Sequence, residues 1–232
     1  MPPRALDPAG IALVDKPSGP SSFAVVAQIR RITGARTGHA GTLDPFATGL
    51  LLLLSGKATK LAPCLVGLDK RYLTEIDLTC RTSTGDPEGE VVECQAPPGK
   101  AELGERLERL RGVIELPIPA ASAVKIGGER AYKLARRGVQ VEMPLRRSKV
   151  HALDVIAYTG QTVTLDVLVS SGTYVRSLAI ALGGHCASLR RTEVGPFSVA
   201  DAVTPEAFTA ERLLPETAVL ARVEAAAAAS TT

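Results

Sequence analysis

The sequence predicts an α+β fold: a mixed, largely antiparallel sheet flanked by helices. Three observations point there. Segments that alternate apolar and polar residues outnumber segments with helical periodicity. Several of them follow one another with no helix between. No strict strand–helix–strand alternation runs through the 232 residues. Hydrophobic content of 45% against 22% charged residues is enough to bury a core.

Taken in order, Ile11–Asp15 alternates as a short strand. Ser21 or Ser22 is placed to N-cap a helix carrying Phe23, Val25, Val26, Ile29 and Ile32, which Gly34 would end. Residues 35–48 have no apolar period and read as a loop. Gly49–Ser55, with its run of five Leu, reads as a buried strand. Tyr72, Thr74, Ile76 and Leu78 share one face of the next strand. Residues 82–89 are rich in Gly, Asp and Pro and read as turns. Glu102–Arg111 has helical spacing, with Leu103, Leu107 and Leu110 inward. Arg130–Arg137 reads as a short basic helix ended by Gly138. Strands are expected near Lys149–Tyr158 and Thr162–Ser170, a helix over Thr173–Leu182 and a last strand over Thr192–Val199. A final helix is expected from Thr204-Pro205, followed by a frayed tail from Ala225. No repeat and no linker is visible, so residues 1–200 are expected to form one domain and 201–232 a short helix and tail.

The composition excludes several classes. No apolar run is long enough to span a bilayer, and the chain opens without a secretory signal, so a soluble cytoplasmic protein is expected. Cys64, Cys80, Cys94 and Cys186 form no CxxC pair, and His39, His151 and His185 complete no zinc spacing. Four reduced thiols and no metal are the expectation. Gly49…Gly56-Lys57-Ala58-Thr59 only approximates a phosphate loop: the glycines are too far apart, and Ala58 stands where a hydroxyl would hold Mg²⁺.

Net charge is only +3, but it is unevenly spread. Residues 125–149 carry a net +6, through Lys125, Arg130, Lys133, Arg136, Arg137, Arg146, Arg147 and Lys149, whereas residues 75–108 carry a net −6. Such a chain has a preferred face for a polyanion, although a solvated helix face would look the same.

The chemistry concentrates in Gly38-His39-Ala40-Gly41-Thr42-Leu43-Asp44-Pro45-Phe46-Ala47-Thr48-Gly49. Asp44 is the only acid between Lys16 and Cys64, a stretch that also holds Arg30, Arg31, Arg36, Lys57 and Lys60. Nearby cations favour an ionised carboxylate, which can act as nucleophile or base. The same Asp-Pro pair could merely start a turn. Two further segments, Asp69-Lys70-Arg71-Tyr72 and Ser171-Gly172-Thr173-Tyr174-Val175-Arg176-Ser177-Leu178, place an aromatic beside cations at the end of a strand and at the start of a helix.

These segments together resemble the TruB family of tRNA pseudouridine synthases. So do Val14-Asp15-Lys16-Pro17-Ser18-Gly19, residues 122–136, and Leu189-Arg190-Arg191-Thr192-Glu193-Val194-Gly195-Pro196-Phe197. The resemblance covers residues 10–200, with its motifs in family order. It implies the pseudouridine synthase fold and the isomerisation of uridine 55 in the T-loop of tRNA, with no cofactor and no metal. By the same resemblance Asp44 is the catalytic aspartate and Tyr72 stacks on the target base. Arg176 pairs with the carboxylate, Tyr174 and Leu189 line the pocket, and His39 helps hold the rearranged RNA loop. Residues 122–144 form a mobile basic insertion that closes on RNA, bringing Lys125, Arg130, Lys133, Arg136 and Arg137. The partner implied is a tRNA T-arm stem-loop, with a monomer and no obligate protein partner expected.

This sequence departs from the family pattern in places. Family members often carry an additional PUA-type RNA-binding domain, and none is expected in the residues after Val199. Ala181 stands where an acid is common, and Leu116 where Gln is often found. The alternative to an enzyme is a structured-RNA binder or tRNA folding factor with secondary or lost catalysis. A guide-dependent relative acting on another RNA would need protein partners and the added domain.

Overall fold

The computed structural model describes residues 8–229 except 123, 132–136, 138 and 140. In chain order the elements are β1 (Gly10–Lys16), α1 (Ser22–Thr33), β2 (Thr37–His39), β3 (Thr48–Ser55), α2 (Ala62–Gly67), β4 (Lys70–Asp77), β5 (Cys80–Thr82) and β6 (Val91–Cys94). They continue with α3 (Lys100–Glu108), β7 (Gly112–Pro117), β8 (Lys125–Ile126), β9 (Glu129–Arg130), β10 (Leu145–Tyr158) and β11 (Thr162–Val169). The chain closes with α4 (Val175–Leu182), β12 (His185–Val194), β13 (Phe197–Ser198) and α5 (Glu216–Ala229). The sheet is mixed and largely antiparallel, with helices at its flanks, as the sequence predicts.

Two compact units result, Met1–Tyr72 with Arg190–Thr232, and Leu73–Leu189. The chain passes between them inside β4 and inside β12, so no change of composition marks the boundary.

In the first unit β3 is the organising strand. β1 runs antiparallel to it over its length, β2 antiparallel at its far end, and the second half of β12 parallel to it through Arg190–Thr48 and Arg191–Gly49. Leu50 to Leu54 are all fully buried, because both faces of this strand are covered. Leu50, Leu52 and Leu54 pack with Ile11, Leu13, Leu65, Val194, Phe197 and Val219 into one core. Helix α1 is capped by Ser21, whose hydroxyl accepts from the Ala24 amide at 3.2 Å, and is ended by left-handed Gly34. It buries Ser22, Val25, Val26, Ile29 and Thr33, one stripe at helical spacing. Phe23 and Ile32 face outwards.

In the second unit the order is β4, β11, β10, β7, with the first half of β12 beside β4. Val163, Leu165, Val167 and Val169 of β11 are buried on one face at period two. Helix α3 buries Leu103 and Leu107, and its Arg106 donates to the Leu182 carbonyl at the end of α4.

Several expectations are corrected. The loop expected over 35–48 contains strand β2. The expected strand Thr192–Val199 is the end of β12 and all of β13, folded back at Gly195-Pro196, where Gly195 has φ +51°. Thr204-Pro205 makes a turn, closed by the Ala207 amide on the Thr204 carbonyl at 3.1 Å, and the last helix begins at Glu216. Ala225–Ala229 is helical, in keeping with alanine's propensity. Cys80 and Cys94 are not free thiols. They face each other across β5 and β6 with Cα atoms 4.1 Å apart and are joined as a disulfide, a pairing that a spacing of 14 residues does not reveal. The expected basic helix 130–137 lies mostly outside the described residues. Of its described residues, Arg130 ends the hairpin β8–β9 and Ala131 is helical.

Candidate active site

The Asp44 loop belongs to the first unit, and its backbone is tied down at every residue. Each carbonyl from Gly41 to Ala47 accepts a hydrogen bond. Arg191 donates to Gly41 at 3.0 Å and to Thr42 at 3.4 Å. Ser22, the first residue of α1, donates to Leu43 at 2.8 Å and accepts from the Leu43 amide at the same distance. The Asp44 carbonyl takes the Ala47 amide at 3.2 Å. Pro45 takes the Gly19 amide at 2.9 Å and Lys16 Nζ at 3.0 Å. Ser18 donates to Phe46 at 3.1 Å, and Lys16 to Ala47 at 2.7 Å.

Both cations of this clamp are almost wholly buried, Lys16 at 0% and Arg191 at 1% exposure. Their charge is met by carbonyl dipoles, since Lys16 also donates to Pro17 and Arg191 to Leu50. The segment Lys16-Pro17-Ser18-Gly19, a sequence motif without an assigned role, is thus the holder of the loop. Gly49 completes it. At φ +102° a Cβ there would lie 2.2 Å from the Arg191 carbonyl, so only glycine lets β3 and β12 approach. Asp44-Pro45 does start a turn, closed by the Ala47 amide on the Asp44 carbonyl.

Asp44 itself is half-buried, and Tyr72, on the inward face of β4, is buried. His39 ends β2. Burial, and secondarily the Arg191 guanidinium, lowers its basicity, which favours the neutral imidazole. Its Nδ1 is buried without a hydrogen-bond partner among the described residues. Lys70 shares the inward face of β4 with Tyr72 and donates to the Val66 and Leu68 carbonyls. Burial, then Arg191, lowers its pKa to about 8, with Asp69 opposing.

The second unit holds Tyr174, Arg176 and Leu189. Tyr174 is the residue before α4, and Leu189 is buried on β12. Arg176, in the first turn of α4, is 2% exposed. Its guanidinium donates to the Thr84 carbonyl at 2.8 Å and the Ala121 carbonyl at 2.9 Å, and lies 3.2 Å from Asp86 Oδ2. Asp86 is itself buried and accepts from Thr84 Oγ1 at 2.5 Å and the Glu88 amide at 3.1 Å. Sequence reasoning read residues 82–89 as a turn and missed Asp86. The available signal was an acid inside a turn whose neighbours, Thr82 and Thr84, supply hydroxyls.

Of the basic set, Lys125 and Arg130 are exposed and face each other across β8 and β9, and Arg137 pairs with Glu129 at 2.7 Å. Lys133 and Arg136 lie outside the described residues.

The chain is similar to known proteins over most of its length. Residues 30–175 match the model of the TruB family pseudouridylate synthase N-terminal domain. The chain belongs to the TruB family. It is 45% identical over 215 residues to tRNA pseudouridine synthase B of Mycobacterium sp. (strain KMS), covering 87% of this chain and 72% of that protein. It is 41% identical over 213 residues to the protein of the same name from Bordetella avium (strain 197N), covering 87% of each. Among solved structures, it is similar to a chain of a Cbf5-Nop10-Gar1 complex, with TM-score 0.65 and 28% identity over 88% of this chain and 57% of that one. A second is a chain of an H/ACA RNP bound to a substrate RNA containing 2′-deoxyuridine, with TM-score 0.63 and 26% identity over 86% and 52%.

Proposed function

We propose that this TruB-family chain isomerises uridine to pseudouridine in tRNA, at position 55 of the T-loop, with Asp44 as the essential carboxylate. The observation that carries the reading is the loop in which seven successive carbonyls are held by Arg191, Ser22, Lys16, Ser18 and backbone amides. Preorganisation of this kind places a reacting group without reorganisation at the moment of reaction.

The target base must leave its stack, at a cost on the order of a few kcal/mol. Stacking on an aromatic such as Tyr72 offsets about 1–3 kcal/mol of that. The bond from ribose C1′ to N1 then breaks, the uracil turns, and C1′ joins C5. The C5 proton leaves and N1 takes one up. Nothing is oxidised and no group leaves the RNA. Asp44 serves either as nucleophile at C1′ or as base on the ribose. The family's remaining roles fall to Tyr174, Arg176 and Leu189, and the exposed Lys125 and Arg130 supply charge for phosphates.

The test is tritium release from C5-labelled uridine in a T-arm stem-loop and in full tRNA, by wild type and Asp44→Asn. Wild type should release tritium, and the variant should be slower by at least about 10³-fold while still binding RNA. Binding by both proteins with release by neither, on intact tRNA, would make this an RNA binder.

A further inference from the structure

Among the described Phe and Tyr residues, Phe23 alone is exposed, at 71%. Scattered apolar side chains on a surface need no explanation, but this one is not isolated. Its ring meets the imidazole of His39 edge to face, with centroids 5.3 Å apart and planes at 78°. That imidazole keeps a buried nitrogen without a hydrogen-bond partner among the described residues. Further along α1, Ala27, Arg30 and Arg31 follow Phe23 at offsets of four, seven and eight residues, so they share its exposed face. The helix contains no acid, and neither arginine has an ion pair among the described residues. Arginines near a helix C-terminus are favoured by the dipole alone, yet the dipole gives no reason for an aromatic two turns earlier on the same face. An exposed ring followed by unpaired cations is the arrangement that binds unpaired RNA: the ring takes a base and the cations take phosphates.

We propose that Phe23, braced by His39, is a stacking site for an unpaired nucleobase of the substrate RNA other than the target uridine, and that Arg30 and Arg31 hold the phosphates of the same RNA segment. The inference rests on the proposed function for the identity of the RNA. A small residue at 27 leaves the path between ring and guanidiniums open, and the neutral state favoured for His39 lets its ring pack without a charge to solvate.

The chain has no Trp, so Phe23→Trp is a single-reporter protein. It should bind the T-arm stem-loop as wild type does, with its indole fluorescence quenched on binding. Phe23→Ala should weaken binding about 5- to 150-fold, the range one stacked base supplies. It should leave the salt dependence unchanged. Arg30→Ala with Arg31→Ala should instead flatten the slope of log K against log salt by about 0.7 per arginine. Unquenched indole in a bound complex, or wild-type affinity in Phe23→Ala, would overturn the proposal. The two readings fail separately. If wild type releases no tritium but Phe23→Ala still loses RNA affinity, the stacking site stands and the catalytic reading falls. If tritium is released normally by both, with equal KM, the stacking site falls alone.

Discussion

Asp44 and Arg176, the two charged side chains proposed to serve the reaction, are held in opposite ways. The Asp44 loop is fixed through its carbonyls by Lys16, Arg191 and two serines, and none of those bonds uses the carboxylate. Arg176 is fixed at its tip, by two carbonyls and the carboxylate of Asp86. The first arrangement spends buried cations on a backbone so that a side chain can be presented. The second spends a buried acid on a cation so that the cation's orientation is set. The two sites are fragile in different places: the loop's grip is distributed over many bonds, whereas the arginine is oriented by an ion pair that a single substitution removes.

Asp86→Ala is therefore expected to be the most damaging change. It removes the carboxylate that faces a buried guanidinium, at a cost of about 3–5 kcal/mol, read as a drop in the denaturant midpoint at constant m. Asp86→Leu combined with Arg176→Met should recover much of that stability but no activity, because a packed apolar pair replaces the ion pair without its chemistry. A loss below about 1 kcal/mol for Asp86→Ala would mean that the carbonyls of Thr84 and Ala121 suffice, and the contrast with the loop would dissolve.

Lys16→Met sharpens the other side. It removes three donors from Pro17, Pro45 and Ala47 while deleting a buried charge. The two effects offset, so about 2 kcal/mol is expected in stability. The greater consequence is for kcat, which should fall on the order of 10²-fold as the loop loses its placement, with KM little changed. A loss of stability with kcat intact would reduce the clamp to scaffolding.

How much of this was legible in the sequence follows from the same contrast. Periodicity revealed β1, α1, β3, β4 and α3, because each buries one face or a continuous run. The motif around Asp44 was legible as a loop, and its resemblance assigned the aspartate. What was not legible is what acts at long range. The clamp joins Lys16 to Ala47 and Arg191 to Gly41, residues 31 and 150 positions apart. Asp86 and Arg176 are 90 apart, and nothing local to an acidic turn announces a buried arginine. Phe23 was legible as one of the apolar residues of its helix, but not as exposed. Its exposure follows from the register that Val25, Val26 and Ile29 impose.

Lys70 offers the smallest test, and one that reads the first unit's electrostatics directly. The clamp leaves Arg191 charged and buried near this lysine, and burial with Arg191 holds the ammonium's folded pKa at about 8, against 10.5 ordinarily. The sign is fixed by linkage. Below pH 8 the lysine is charged in both states, so its burial cost is constant. Between 8 and 10.5 the unfolded chain binds more protons than the folded one, so stability rises with pH. Above 10.5 the contribution is level. Other lysines and tyrosines titrate in the same window, so the quantity to measure is the difference between wild type and Lys70→Met across pH 7–11. The variant should lack the rise, and its advantage or deficit at pH 7 should shift by that amount at pH 11. A parallel pair of curves would mean that Lys70 is not desolvated by its neighbours, and that the charge on Arg191 is screened from the unit's interior rather than spent wholly on the loop.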